Sequence, residues 1–167
     1  MLAQDLAYMS IFRNLSSEQM TQILPLMESC DYPKDATIFE QGAPAENLYL
    51  VVEGEVVVRY KAYDGPLITV AHVCRGGIFG WSAALGRSTY TSSAVCLEKC
   101  HFFRISSCSL RQMCDNYPET GVLFLERLAS AIAERETNKY SQVITMLSQK
   151  SEMGLDCSGK GRQNGSG

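Results

Sequence analysis

The stretch from Gly80 to Ser92 gathers groups able to grip a small ligand. Ser82, Ser88, Thr89, Thr91 and Ser92 supply hydroxyls, Arg87 supplies a guanidinium, and Trp81 and Tyr90 supply rings. Gly80 and Gly86 lack side chains and leave backbone amides accessible. Hydroxyls, amides and one cation in a short span make anion-binding chemistry. Catalysis finds less support. His72 and His101 are isolated in the sequence, no Ser/His/Asp set can be assembled around them, and each reads as a satisfied core or surface histidine. The seven cysteines, at 30, 74, 96, 100, 108, 114 and 157, include no C-x-x-C. Cys96/Cys100 and Cys108/Cys114 lack partner pairs at zinc-binding spacing. An odd number without a signal peptide argues against a disulfide framework, so the thiols read as small buried hydrophobes. The sequence assigns no catalytic residue and no metal site.

The bulk properties narrow the function further. The chain has 167 residues, 46% apolar and 20% charged, which suits one globular domain with a short appendage. The net charge is −3; Glu152, Asp156, Lys160 and Arg162 cancel within 151–167, so the whole charge belongs to 1–150. An acidic domain without a basic stripe is a poor candidate for neutralising phosphates, so no direct DNA contact is expected. No apolar run reaches the roughly 20 residues of a spanning helix. Met1 to Phe12 carries Asp5 and no Lys or Arg, unlike a signal peptide. The expectation is a cytoplasmic protein without a membrane anchor.

Three parts position the candidate groups. Residues 1–30 read as helical: Ser16 and Gln19 form a capping-box pattern, and Met20, Ile23, Leu24 and Met27 make one apolar face that Pro25 should bend or cut short. Residues 31–105 read as strands at 48–52, 56–60, 67–73 and 92–97, with Asp64-Gly65 as a hairpin turn. Short strands punctuated by glycine at a spacing near eleven point to an antiparallel sandwich, barrel or roll. Residues 106–150 return to helix. Ser106 caps a helix through Tyr117, and Pro118 opens a second one through Lys150, about 48 Å long. Val122, Leu125, Ala129, Ile132, Glu136, Lys139, Val143 and Met146 follow a heptad seam with a polar middle. The seam predicts a homodimer helix over 119–150; the alternative is an amphipathic helix lying on its own sheet. Residues 151–167 carry five glycines and three serines and read as a flexible tail.

Specific residues then bring a family into view. Gly42, Leu48, Tyr49, Val51, Gly54 and Val56 resemble the start of a cyclic nucleotide-binding domain. Gly76-Gly77-Ile78-Phe79-Gly80 resembles the lead-in to that family's phosphate-binding cassette. Ser93 to Glu98 and Cys100 to Ile105 resemble the strands after it, and Cys100 to Pro118 matches the end of the roll and the following helix in the catabolite activator protein group. The resemblance spans about residues 8–150. It implies an α+β fold: an antiparallel, jelly-roll-like β-roll (a double-stranded β-helix) flanked by N-terminal helices and a long C-terminal helix. It also implies a mechanism. The cassette binds a cyclic phosphate, a glutamate directly after Phe-Gly accepts the ribose 2′-hydroxyl, and an arginine nine positions later pairs with the phosphate. The base packs on the long helix, which relays occupancy.

Both of those positions differ here. Trp81 stands where the glutamate would be, and its indole only donates; Tyr90 stands where the arginine would be. Losing a charge-assisted pair to a buried phosphate costs about 1.5–3 kcal/mol, roughly tenfold to a few hundredfold in affinity. Two readings follow. In a re-tooled pocket, Trp81 stacks on a ring, Arg87 or amides hold an anion, and Tyr90 bonds the ligand. In a filled pocket, Trp81 and Tyr90 occupy the ligand space and leave a structural roll. By position in the roll, Val70 and Ala71 would line the base side. On the long helix Lys139 and Tyr140 compete with Arg135 and Glu136 for the base, with a solvated face expected for Arg135.

The expectation is a non-enzymatic sensor of a small anionic or aromatic ligand, a cyclic nucleotide such as cyclic AMP or cyclic GMP bound by an altered scheme, or another small ligand, with no resident cofactor assigned. It would signal through its C-terminal helix to an unknown output protein. The alternatives are a protein-interaction module with a collapsed pocket and a haem or redox sensor using His72. Members that are transcription factors continue into a winged helix-turn-helix; the seventeen residues after 150 are too few for one, so a stand-alone sensor is expected.

Overall fold

Local sequence sets the first elements as expected. The computed structural model describes residues 9–149, and the side chains of 9–135 apart from Ser10. A short 3-10 turn at Ser10–Phe12 precedes α1, Ser17–Ile23. Ser16 accepts from the Gln19 amide while the Gln19 side chain accepts from the Ser16 amide, closing the capping box. Pro25 does cut the helix, which tightens into a 3-10 turn at Leu24–Leu26.

Eight strands follow: β1 Glu28–Tyr32, β2 Thr37–Phe39, β3 Asn47–Glu53, β4 Val56–Lys61, β5 Leu67–Val73, β6 Ile78–Phe79, β7 Ser93–Cys96 and β8 Cys100–Ser106. They form two four-stranded antiparallel sheets, ordered β1-β8-β3-β6 and β2-β7-β4-β5. This is the expected roll. It begins earlier than expected, because Glu28 to Cys30, assigned to the helical part, pair with Arg104 to Phe102 on β8. Then α2, Ser107–Asn116, starts on the Ser106 cap, and α3 runs from Pro118 to Gln149.

Strand β3 is the hinge of the packing. Leu48, Leu50 and Val52 join Ile23, Leu110, Met113, Phe124 and Leu128 in a core between the first sheet and the helices. Tyr49 and Val51 face the other way, into the roll interior with Val56, Val58, Phe79 and Phe102. A strand buried on both faces needs a continuous apolar run, which is why Leu48 to Val52 shows no alternation. Gly121, the one glycine of α3, lets the two helices close: a Cβ there would sit 2.8 Å from the Cys114 Cα.

Helix α3 carries two stripes. Thr120, Phe124 and Leu128 are buried at 3%, 0% and 1% exposure. Val122 and Leu125, the start of the heptad seam, remain 57% and 38% exposed. One stripe of the helix therefore lies on its own domain, as the alternative has it; of the seam, Val122, Leu125 and Ala129 are exposed while Ile132 packs against the same core. Glu136, Lys139, Val143 and Met146 lie beyond the described side chains, as do residues 1–8 and 150–167 altogether. Among the described residues no helix is long and apolar enough to cross a membrane.

Candidate functional site

The strand-to-cassette junction is built around Gly80. Its φ is +76°, and a Cβ would lie 3.0 Å from the Asn47 carbonyl oxygen and 3.2 Å from the Tyr49 ring. Only glycine fits both the left-handed backbone and the close approach. The chain then enters one 3-10 turn, Trp81–Ala83. The Ala83, Ala84, Leu85 and Arg87 amides donate to the Gly80, Trp81 and Ser82 carbonyls, so the turn spends these donors on itself.

Beside this turn lies a cavity of about 340 Å³. Phe39, Val58, Val70, Ala71 and Phe79 supply its apolar lining, together with Tyr60. Gly80, Trp81, Ser82, Thr91 and Ser92 form the polar flank. Arg135 of α3 completes the lining. Its guanidinium carbon lies 4.2 Å from the centre of the Trp81 ring, a cation–π contact, and Nη2 donates to the Ile78 carbonyl.

The structure thus brings Gly80, Trp81, Ser82, Thr91, Ser92, Val70 and Ala71 to one cavity. It sets two other candidates apart. Arg87 is exposed on the loop and lies outside this lining. Tyr90, 4% exposed, is packed in the wall with Ala45 and Ala83 and stacks on Phe39 with ring centres 3.6 Å apart. Its hydroxyl donates to the Asn47 carbonyl at 2.6 Å and accepts from the Asn47 amide at 2.9 Å. Burial pushes its phenol pKa up. The neutral phenol spans a backbone donor and acceptor that an arginine could not both satisfy. Lys139 and Tyr140 lie on α3 outside the described side chains. Arg135, expected on a solvated face, is half-buried at the cavity, because the face of α3 that meets the roll continues from Leu128 through Ala131 to it.

Other chemistry-bearing residues take different roles. The His72 Nδ1 pairs with the Glu55 carboxylate at 2.7 Å, and His72 lines a neighbouring cavity of about 350 Å³ with Arg75, Gly76, Gly77 and Glu134. Arg135 borders both cavities. The strand pairing assembles a Ser/His/Asp set that the sequence did not suggest. The His101 Nδ1 meets Asp31 at 2.7 Å, and the Ser29 hydroxyl lies 3.4 Å from Nε2. Ser29 and Asp31 are exposed on the edge strand β1 and His101 is part-exposed on the neighbouring β8, and none of the cavities described above is lined by them. The trio is a surface polar cluster.

Cys30, Cys96 and Cys100 pack in the roll interior. Burial pushes all three thiols up, Cys96 to about 12, so they behave as hydrophobes. Cys74 departs from the expectation of thiols throughout: it is disulfide-bonded. Among the described residues no group of three His, Cys, Asp or Glu could hold a metal ion.

Comparison with known proteins agrees with this architecture. The family profile of the cyclic nucleotide-binding domain matches residues 30–117. A crystal structure of a putative cyclic nucleotide-binding protein from Geobacter metallireducens is 30% identical, with a TM-score of 0.71, over 81% of this chain and 98% of that one. The global nitrogen regulator of Synechocystis sp. is 32% identical over 137 residues, which is 81% of this chain and 59% of that protein. The CRP-like cAMP-activated global transcriptional regulator of Mycobacterium tuberculosis is 23% identical over 84% of this chain and 62% of its own length. The chain spans about three-fifths of the length of these curated relatives.

Proposed function

We propose, on the premise that this chain belongs to the cyclic nucleotide-binding domain family, that it is a non-enzymatic regulatory domain whose roll cavity binds a small anionic or aromatic ligand and whose α3 helix passes occupancy to an output protein. The cavity of about 340 Å³ carries this reading, because α3 contributes a lining side chain to it. Its volume falls at the low end of small-molecule sites. A ligand that fills it touches Trp81 and Arg135 together, so occupancy and helix position are linked. The open cavity supports a re-tooled pocket over a filled one: Tyr90 is consumed by the wall, but Trp81 is not.

The assembly in this reading is a homodimer through α3. Val122 and Leu125 support it, since they form an outward apolar stripe next to a groove lined by Pro118, Glu119, Val122, Leu123 and Glu126. Dimer and monomer are separated by sedimentation of the full chain and of V122D/L125D. The wild type is expected to sediment as a dimer and the variant as a monomer; a monomeric wild type ends the dimer reading. The net charge of −3 supports a role without direct DNA contact; a cytoplasmic location belongs to the same proposal.

The ligand site is tested by thermal melting with cyclic AMP, cyclic GMP and a panel of aromatic acids at millimolar concentration. A71F places a ring in the cavity. Any ligand that raises the wild-type melting temperature should lose that effect in A71F. A panel that moves neither protein, with A71F folded and at least as stable as wild type, would instead favour an interaction module.

A further inference from the structure

Cys74 is the one described cysteine that is not a free thiol. Cys30, Cys96, Cys100, Cys108 and Cys114 are free, whereas Cys74 is disulfide-bonded. The sequence holds one further cysteine, Cys157, which lies outside the described residues. Elimination leaves Cys157 as the partner that this chain can offer.

The place of Cys74 suits a bond to a distant segment. Cys30, Cys96 and Cys100 pack in the roll interior. Cys74 instead follows β5, is half-buried, and lines the cavity of about 350 Å³ to which Ala131, Glu134 and Arg135 of α3 also contribute. Chain length permits the return. From Arg135 to its end at Gln149, α3 rises about 21 Å. The segment from there to Cys157 reaches up to about 28 Å when extended. A disulfide needs its two Cα atoms about 4.4–6.8 Å apart, so the segment is long enough to run back beside the helix and close the bond.

We propose that Cys74 and Cys157 form a redox-reversible bridge that ties the chain after α3 to the end of β5. The bridge closes a covalent ring that contains the cassette and the whole of α3. The helix is then held twice, by its Phe124 and Leu128 stripe and by the bridge beyond Gln149. Reduction releases the second hold. Where glutathione keeps thiols reduced, a disulfide is a transient, redox-sensing bond rather than a structural one. The oxidant is a small-molecule disulfide of the glutathione class. The thiolate of one cysteine attacks it and releases one glutathione thiolate; the thiolate of the other cysteine then displaces the second. Two protein thiols are oxidised as one glutathione disulfide is reduced to two thiols. This bridge stands whether or not the roll cavity takes a ligand.

The experiment treats the full chain with glutathione disulfide, blocks remaining thiols, and digests with trypsin without reduction. Cleavage after Lys61, Arg75, Lys150 and Lys160 isolates Cys74 in peptide 62–75 and Cys157 in peptide 151–160. Mass spectrometry is expected to find these two peptides linked, with the link lost on adding dithiothreitol and missing in C157S. Cys74 found as a free thiol, carrying glutathione alone, linked to Cys74 of a second copy or linked to any other cysteine overturns the bridge. The hold on the helix is read by amide hydrogen exchange over 136–149. Exchange should be slower by about threefold or more in the oxidised than in the reduced wild type, and C157S should show no such difference. Equal exchange in oxidised and reduced wild type, with the linked peptides present, overturns the coupling to α3.

Discussion

Trp81 and Tyr90 stand nine residues apart in one loop, and each replaces a polar residue that the family resemblance places at the ligand. Their fates differ. Trp81 borders the cavity and meets α3 through Arg135. Tyr90 turns into the wall, where its ring stacks on Phe39 and its hydroxyl spans the Asn47 amide and carbonyl. The difference follows from what each can bond. A phenol both donates and accepts, so it can close a strand end; an indole donates only. One substitution builds the wall and the other furnishes the room.

The sharpest way to break this contrast is to remove the wall. Y90A deletes a ring that is 4% exposed and leaves the Asn47 backbone groups without their partner. The expected loss is about 3–5 kcal/mol, read by urea unfolding. A loss below about 1 kcal/mol would mean the ring is not part of the core. Y90F keeps the ring and removes only the hydroxyl, at an expected cost of about 1–3 kcal/mol. Y90R restores the family's residue type. It should destabilise at least as much as Y90F and leave cyclic AMP affinity unchanged by calorimetry, because this position faces the wall. A gain in cyclic AMP affinity would show that the arginine reaches the cavity.

Alkaline pH separates the two residues differently. Burial raises the Tyr90 phenol from its ordinary value of 10 and the Cys96 thiol from 9 to about 12; the Tyr49 phenol is also raised. A group that binds its proton more tightly when folded stabilises the fold fully below its unfolded pKa, and that contribution is lost as pH rises toward the folded value. The melting temperature should therefore fall above about pH 9. Y90F should make this fall shallower, and W81A should not change it. A melting temperature that holds to pH 11 would count against these buried neutral groups.

The roll was legible where burial leaves a pattern. Leu48 to Val52 and Val56 to Val58 are apolar because both runs are buried, and β4 turns polar at Arg59 where it emerges. Strand β1 was not, because Glu28, Ser29 and Asp31 are exposed at a sheet edge, and only pairing with β8, some seventy residues on, makes them a strand. The same long-range pairing explains why Ser29, Asp31 and His101 could not be assembled from sequence. The cavity flank was legible through the cassette pattern. Which way Tyr90 turns was not, because the deciding partner, the Asn47 backbone, has no side-chain signature. Arg135 read as solvated because a charged side chain in the polar middle of a long helix carries no signal of a buried partner. The second stripe, Thr120, Phe124 and Leu128, carries on to Arg135 and turns it toward the roll.

The finest test concerns the contact that gives Trp81 its separate role. In W81A the lost ring is half-buried, and the expected cost is about 1–2 kcal/mol, well below that of Y90A. Much of this is apolar area rather than the cation–π contact, so the single variant cannot apportion it. A double-mutant cycle of W81A and R135Q removes the shared area term. The expected coupling is about 0.5–1 kcal/mol, read by urea unfolding. The same cycle run with Y90F in place of W81A should couple to R135Q more weakly, since Tyr90 lies outside the lining that Arg135 completes. Equal coupling in both cycles would mean that wall and cavity respond as one unit, and the division of labour between the two aromatics would fail.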